Sequence, residues 1–354
     1  MKDKITVYLF VGFLMLVPTI SILSKDEKIS YTERRELATF PKFELTNEYV
    51  TKLDKYFLDH FPKRDSFRSL KANYNYHVMQ KLDNNGIYLK DNYIFKTMYP
   101  TNKDSINNFI KNINSIKSMV NEENNIYFLP VPDKNYYLKD NLFLQLDYNY
   151  IYDKLNGLDL PIIDIRDIMT LDDYYQTDTH WKQEQLDKVV KKLCDSMNLP
   201  YQEQIYKQNS YDKFHGVYYG ESAMNLKPEK LTYLTNNIIN ETEVKYLENP
   251  KLHNVYNLDN LNSFDSYEVY LDGASSFIEI MNSNCNNKKE LVIFRDSFGS
   301  SLTPLLIPYY SKITLIDNRY INSENFLKYI NFENQDVLFL YSTLLINNSY
   351  SLKG

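Results

Sequence analysis

The stretch Glu290-Leu-Val-Ile-Phe-Arg-Asp-Ser-Phe-Gly-Ser-Ser301 decides the fold. Four apolar residues, Leu291 to Phe294, run without the polar alternation of a half-exposed strand, which is how a strand buried on both faces reads. A short polar turn follows, and a helix-compatible stretch occupies 300–310. Strand, turn and helix in that order form the repeating unit of a parallel sheet. The same rhythm recurs on both sides. Short apolar runs appear at Asn125-Ile-Tyr-Phe-Leu-Pro-Val131, Pro161-Ile-Ile-Asp-Ile165, Lys312-Ile-Thr-Leu-Ile316 and Asp336-Val-Leu-Phe-Leu-Tyr341. Helical stretches are expected at 146–156, 181–198 and 323–331. The expectation is an α/β fold, a mostly parallel sheet with helices on both faces. Residues 201–289, rich in Tyr, Asn and short β-like runs, break the rhythm and read as a β-rich insertion. No internal repeat is visible.

Upstream, Ile106, Phe109, Ile110, Ile113, Ile116 and Val120 recur at helical spacing, so 103–121 reads as an amphipathic helix. Gly86–Phe95 reads as a hairpin with Asp91-Asn92 at its tip. Two helices, 47–60 and 65–82, are separated by Phe61-Pro62, because proline cannot continue a helix. Residues 25–45 are charged and irregular, as a linker is. The run Ile5–Leu23 carries no charge and matches the apolar thickness of a bilayer. Lys2 and Lys4 put its N-terminal end in the cytoplasm by the positive-inside rule. No Ala-x-Ala follows it, so an uncleaved signal anchor is preferred to a cleaved signal peptide. The layout expected is a transmembrane helix at 1–24, a linker with a helical and hairpin extension at 25–100, and the α/β domain at 101–354. That domain would lie outside the cell membrane.

Composition removes several classes of function. The formal net charge of −6 and the lack of a Lys/Arg run exclude the basic stripe of a nucleic-acid binder. Cys194 and Cys285, the only cysteines, form no Cys-x-x-Cys pair, so neither a zinc site nor a redox motif is indicated and both read as unpaired. No Gly-rich nucleotide loop is present, so no cofactor is expected and coenzyme A is not expected to bind directly. Thirty-three tyrosines against one tryptophan fit a coding bias better than a design for stacking on sugars.

Functional groups in such a sheet gather beyond the C-terminal ends of the strands. The polar clusters there are Lys134, Asp178–His180, Asp296–Ser297 and Asp317–Arg319. Ser297 at a strand-to-helix turn projects its hydroxyl above the sheet, and the amides after it can face an oxyanion. The competing reading is that Asp296 or Ser297 caps the helix. Within Thr177-Asp-Thr-His-Trp181, His180 is a base suited to neutral pH and Asp178 a carboxylate able to fix its tautomer. His60, His77, His215 and His253 lack such a context. No ligand cluster for a metal stands nearby.

Taken together, Tyr174-Tyr-Gln-Thr-Asp-Thr-His-Trp-Lys182, Asp296-Ser297-Phe-Gly and Asp317-Asn-Arg-Tyr320 resemble the DHHW and alginate-acetylation (AlgX/AlgJ-like) proteins. The resemblance extends through Glu33-Arg-Arg-Glu-Leu-Ala-Thr-Phe-Pro41, Phe61-Pro-Lys-Arg-Asp65, Asn84-Asn-Gly-Ile-Tyr-Leu89 and Val131-Pro-Asp-Lys134. It implies an SGNH-hydrolase-like fold with reordered catalytic blocks and transfer of O-acetyl groups to an exported polysaccharide. Ser297 would be the nucleophile, His180 the base and Asp178 its orienter. A separate multi-span membrane acyltransferase would supply the acyl group. The second histidine of the DHHW name is Thr179 here, which leaves the base and carboxylate positions intact. Lys134 and Arg319 are candidates to hold an anionic sugar or an oxyanion, or else ordinary surface charges. Trp181 either stacks on substrate or buttresses the loop. Tyr136, Tyr137, Tyr218 and Tyr219 are possible sugar platforms. The readings rank as O-acetyltransferase, then esterase with the same triad, then a non-catalytic polysaccharide-binding protein.

Overall fold

The computed structural model describes residues 2–84, 86–138 and 143–353; Asn85, within the Asn84–Leu89 stretch quoted above, lies outside them. The chain forms two compact units. The larger comprises Tyr88–Gly216 and Pro228–Gly354, the smaller Met1–Ile87 and Val217–Lys227.

In the larger unit, seven strands build one sheet. They are β1 (Asn125–Val131), β2 (Glu243–Tyr246), β3 (Leu252–His253), β4 (Phe277–Met281), β5 (Glu290–Arg295), β6 (Lys312–Ile316) and β7 (Asp336–Ser342). Their order across the sheet is β1-β7-β5-β6-β4-β2-β3. β1, β7, β5 and β6 are parallel neighbours. β4, β2 and β3 extend the β6 edge in antiparallel fashion. The central residues of the parallel strands are mostly apolar because both of their faces are covered. Leu291 and Ile293 of β5 enter one core cluster while Val292 and Phe294 enter the other, the period-2 alternation of a pleated strand. Helices α1 (Lys103–Lys117) and α2 (Tyr148–Asn156) supply Phe109, Ile113 and Ile151 to the second cluster. Helices α3 (Asp187–Ser196) and α4 (Phe298–Leu306) supply Val190, Leu193, Leu302 and Leu305 to the first.

The structure departs from the sequence reading in several places, and the helix expected at 323–331 is only Ser323–Phe326. Residues 201–289 are not wholly an insertion, since β2, β3 and β4 lie within them and join the sheet. Val244, Tyr246, Ile278 and Ile280 are buried on it, and polar residues between them face outward as antiparallel edges allow. Pro161–Ile165 makes only a bridge from Ile162 to Phe128. Its continuation is turned aside where the Asp164 carboxylate accepts the Arg166 N–H at 3.0 Å. The expected helix at 181–198 begins only at Asp187, because the residues before it belong to a loop described below.

The smaller unit holds the helix Lys2–Leu23, the one helix among the described residues long and apolar enough to cross a membrane by length and composition. Helices Asn47–Asp59 and Arg64–Asn73 follow, interrupted at Phe61-Pro62 as expected. Buried Asp59 pairs with Arg35 at 2.5 Å, and Arg64 with Glu33 at 2.5 Å. Segment 217–227 belongs here because Gly220 lies directly against Thr32, where a Cβ would fall 1.6 Å from the Thr32 carbonyl oxygen.

Candidate active site

β5 ends at Arg295, and the turn into α4 is made by Asp296. One carboxylate oxygen of Asp296 accepts the Phe298 N–H at 3.0 Å, and the other accepts the Ser342 N–H at 2.8 Å from the end of β7. Capping therefore falls to Asp296. Ser297 makes no side-chain cap bond, and its hydroxyl is turned elsewhere. Gly299 lets the first turn of α4 press on β5, since a Cβ there would lie 2.9 Å from the Arg295 Cβ. Arg295 is itself buried, and it donates to Ser300 Oγ at 2.9 Å. Burial depresses its guanidinium pKa while Asp317 opposes that shift.

The second segment, Tyr174–Trp181, is a loop closed on itself. Tyr174 and Trp181 form an antiparallel bridge, and the Tyr175 N–H donates to the His180 carbonyl at 3.1 Å. Inside it, Asp178 Oδ1 accepts the His180 backbone N–H at 3.0 Å and meets His180 Nδ1 at 2.5 Å. His180 Nε2 lies 2.7 Å from Ser297 Oγ across 117 positions of chain. The structure thus brings Asp178, His180 and Ser297 into one line at the C-terminal edge of the sheet. Asp178 is 1% exposed and His180 9%, so water is largely removed from the contact between them.

Several neighbours gave no sequence signal. Tyr267 stacks on the imidazole with 3.8 Å between ring centroids and 8° between planes, and Phe298 covers another side at 4.9 Å. The Tyr267 hydroxyl donates to Ser301 Oγ at 2.8 Å, and Trp181 Nε1 reaches the same oxygen at 2.9 Å. One tyrosine among thirty-three cannot be picked out by composition. Ser301 does stand four residues after Ser297, one helical turn away, and that spacing was available.

The candidate substrate contacts require correction. Trp181 has no exposed surface and packs edge-on against Phe298, so it buttresses the loop and cannot stack on a sugar. Lys134 is also buried. Its ammonium donates to the carbonyls of Tyr175, Gln176 and Asp178 at 3.1, 3.0 and 2.7 Å, using the three N–H bonds a lysine has. Burial pushes its pKa down to about 7 against the pull of Asp178 and Glu229. Arg319 binds Asp317 through two nitrogens, at 2.8 and 2.5 Å, and its side chain keeps 22% of its surface exposed. It is therefore an ion-paired residue with a solvent-facing edge at the end of β6. The amides of Phe298, Gly299 and Ser300 are bonded to Asp296 and Ser297, so the oxyanion role expected of the residues after Ser297 has no free donor there. Tyr136 and Tyr137 are half-buried against each other, while Tyr218 and Tyr219 belong to the smaller unit. Among the described residues no group of three His, Cys, Asp or Glu could hold a metal ion, and Cys194 and Cys285 form no disulfide.

No family model matches the chain, and no curated protein matches it in sequence. Solved structures do match. A DHHW family protein from Eubacterium siraeum DSM 15702 is similar at 20% identity and a TM-score of 0.61, over 77% of this chain and 97% of that one. PatB1 of Bacillus cereus, solved with a sulfonyl adduct, is similar at 20% identity and a TM-score of 0.58, over 73% and 97%. A looser match, with a TM-score of 0.44 at 12% identity, is the O-acetyltransferase domain of Pseudomonas putida AlgJ, over 74% and 92%. The first two share this chain's fold, and the resemblance to DHHW proteins read from the sequence is met in three dimensions.

Proposed function

We propose that this chain is an extracytoplasmic O-acetyltransferase that passes acetyl groups to a cell-surface or exported polysaccharide through an acyl-Ser297 intermediate. The observation that carries the proposal is the unbroken line from Asp178 through His180 to Ser297, with contacts of 2.5 and 2.7 Å. His180 Nε2 takes the Ser297 proton as Oγ attacks the acyl carbonyl. The tetrahedral intermediate collapses, the donor's leaving group takes that proton from the imidazolium, and the acyl-serine remains. A sugar hydroxyl then gives its proton to His180 and attacks the ester, and Ser297 recovers its proton as it departs. Asp178 stabilises the imidazolium in both halves without itself being protonated.

The donor in this reading is a multi-span membrane acyltransferase that delivers the acyl group from the cytoplasm. The apolar helix Lys2–Leu23, long enough for a bilayer, supports attachment to the membrane with the α/β unit outside. Arg319, with its exposed edge, is the remaining candidate for contact with an anionic group of donor or acceptor.

Replacing Ser297 by Ala in the full-length protein tests the proposal. Loss of O-acetyl groups from the cell-surface polymer, with normal protein levels, is the expected result. Unchanged acetylation refutes it. Acetate release from an acetyl ester that does not partition to added glycan would identify the chain as an esterase instead.

A further inference from the structure

The peptide groups that carry Asp178 and His180 are gripped from two sides by charges, the buried Lys134 and the half-buried Glu229. On one side the Lys134 ammonium collects the carbonyls of Tyr175, Gln176 and Asp178. From elsewhere in the chain, the Glu229 carboxylate accepts the N–H groups of Gln176 and Thr177 at 2.5 and 2.6 Å, and the Thr177 hydroxyl at 2.5 Å. That hydroxyl accepts the Gly216 N–H at 2.8 Å. A Cβ at Gly216 would lie 2.3 Å from the Asp178 backbone nitrogen, so the chain at Gly216 touches the loop with no room for a side chain.

We propose that Lys134 and Glu229 are positioning residues whose opposite charges set the backbone of Tyr175–Asp178, and through it the alignment of Asp178 on His180. The proposal rests on the acyl-serine reading above and adds to it what holds the base in place. Three carbonyls converging on one point repel one another as dipoles unless a cation sits among them. Burying an ammonium costs several kcal/mol, and a residue needed only for packing would be apolar. Lys134 is placed firmly. It opens a turn at the end of β1 whose cap, Asp133, accepts from Tyr148, Thr343 and Asn135. The rings of Tyr93 and Phe95 lie 5.9 and 5.5 Å from its nitrogen. A loop with little regular hydrogen bonding thus acquires the rigidity that alignment demands; a shift of about 1 Å can cost about 100-fold in rate.

The test uses the full-length chain in detergent micelles, with p-nitrophenyl acetate as substrate and phenylmethanesulfonyl fluoride as the reagent for Ser297. Lys134→Ala is expected to lower kcat about 100-fold with KM changed less than about twofold. Added propylammonium, which fits the space vacated by the side chain, is expected to restore about tenfold. Glu229→Gln, which keeps size but removes the charge, is expected to lower kcat about tenfold and slow sulfonylation equally. If Lys134→Ala does not fold, Glu229→Gln decides alone. Normal kcat in either folded variant overturns the proposal, as does a loss confined to KM. If the wild-type protein neither turns over nor is sulfonylated, the acyl-serine reading fails, not this one. The clamp is then judged by the low-field proton resonance of the His180–Asp178 hydrogen bond. That resonance should be present in the wild type and lost in Glu229→Gln, and its survival there overturns the proposal.

Discussion

Two segments carry the proposed triad, and they are built by opposite means. The β5–α4 turn, Phe294–Ser301, rests on regular structure. β5 is paired on both edges, α4 follows at once, and Asp296 joins the turn to β7. The loop Tyr174–Trp181 has almost no regular hydrogen bonding and is held by side chains from elsewhere in the chain: Lys134, Glu229, Tyr267 and the Ser301 hydroxyl. Ser297, the proposed nucleophile, is thus placed by repeating backbone geometry, and His180, the proposed base, by a few long-range contacts. Damage to the first should appear as lost stability, damage to the second as lost rate.

The largest expected effect is loss of the Ser297 hydroxyl itself, the one change in the first segment that should remove rate and spare stability. Ser297→Ala should remove acyl-serine turnover, a loss on the order of 10⁶ in kcat by analogy with other Ser-His-Asp sites, measured against a soluble acetyl ester. Asp178→Asn keeps the shape of the loop but offers His180 an amide in place of a carboxylate, which favours the wrong tautomer. It should lower kcat about 10⁴-fold with an unchanged thermal midpoint. A large fall in that midpoint would break the contrast by making the loop a stability element.

Gly216→Ala forces a Cβ against the Asp178 backbone. A kcat loss of about 100-fold is expected, larger than its effect on urea unfolding. Asp296→Ala probes the other segment. It strips the acceptor from the Phe298 and Ser342 amides and should cost about 1–2 kcal/mol in urea unfolding, with kcat falling in proportion to any disorder at Ser297. The smallest effect is expected for Trp181→Phe, which keeps the ring in the core but leaves Ser301 and Phe298 without the indole N–H. About 1 kcal/mol of stability should be lost, with KM unchanged. A raised KM would return Trp181 to the substrate.

How much was legible follows the same division. β1, β5, β6 and β7 were visible as apolar runs because two covered faces favour apolar residues along most of each strand. Asp296-Ser297 stood out because the end of such a strand is where chemistry gathers. β2 and β4 went unread because a short antiparallel strand with one polar face resembles a polar loop. Lys134 was read as a substrate or surface charge because lysine is seldom buried, and nothing local to Val131–Lys134 announces three carbonyls arriving from more than forty positions away. Glu229, Gly216 and Tyr267 were missed for that reason too. Their roles exist only once the chain has closed on itself.

The most direct measurement of the central claim is mass spectrometry of the full-length protein quenched during turnover of an acetyl ester. An acetyl group is expected on the peptide containing Ser297, formed in the wild type, lost when a glycan acceptor is added in excess, and absent in His180→Ala. Turnover with no acetyl group on that peptide, or equal acetylation in His180→Ala, would contradict it.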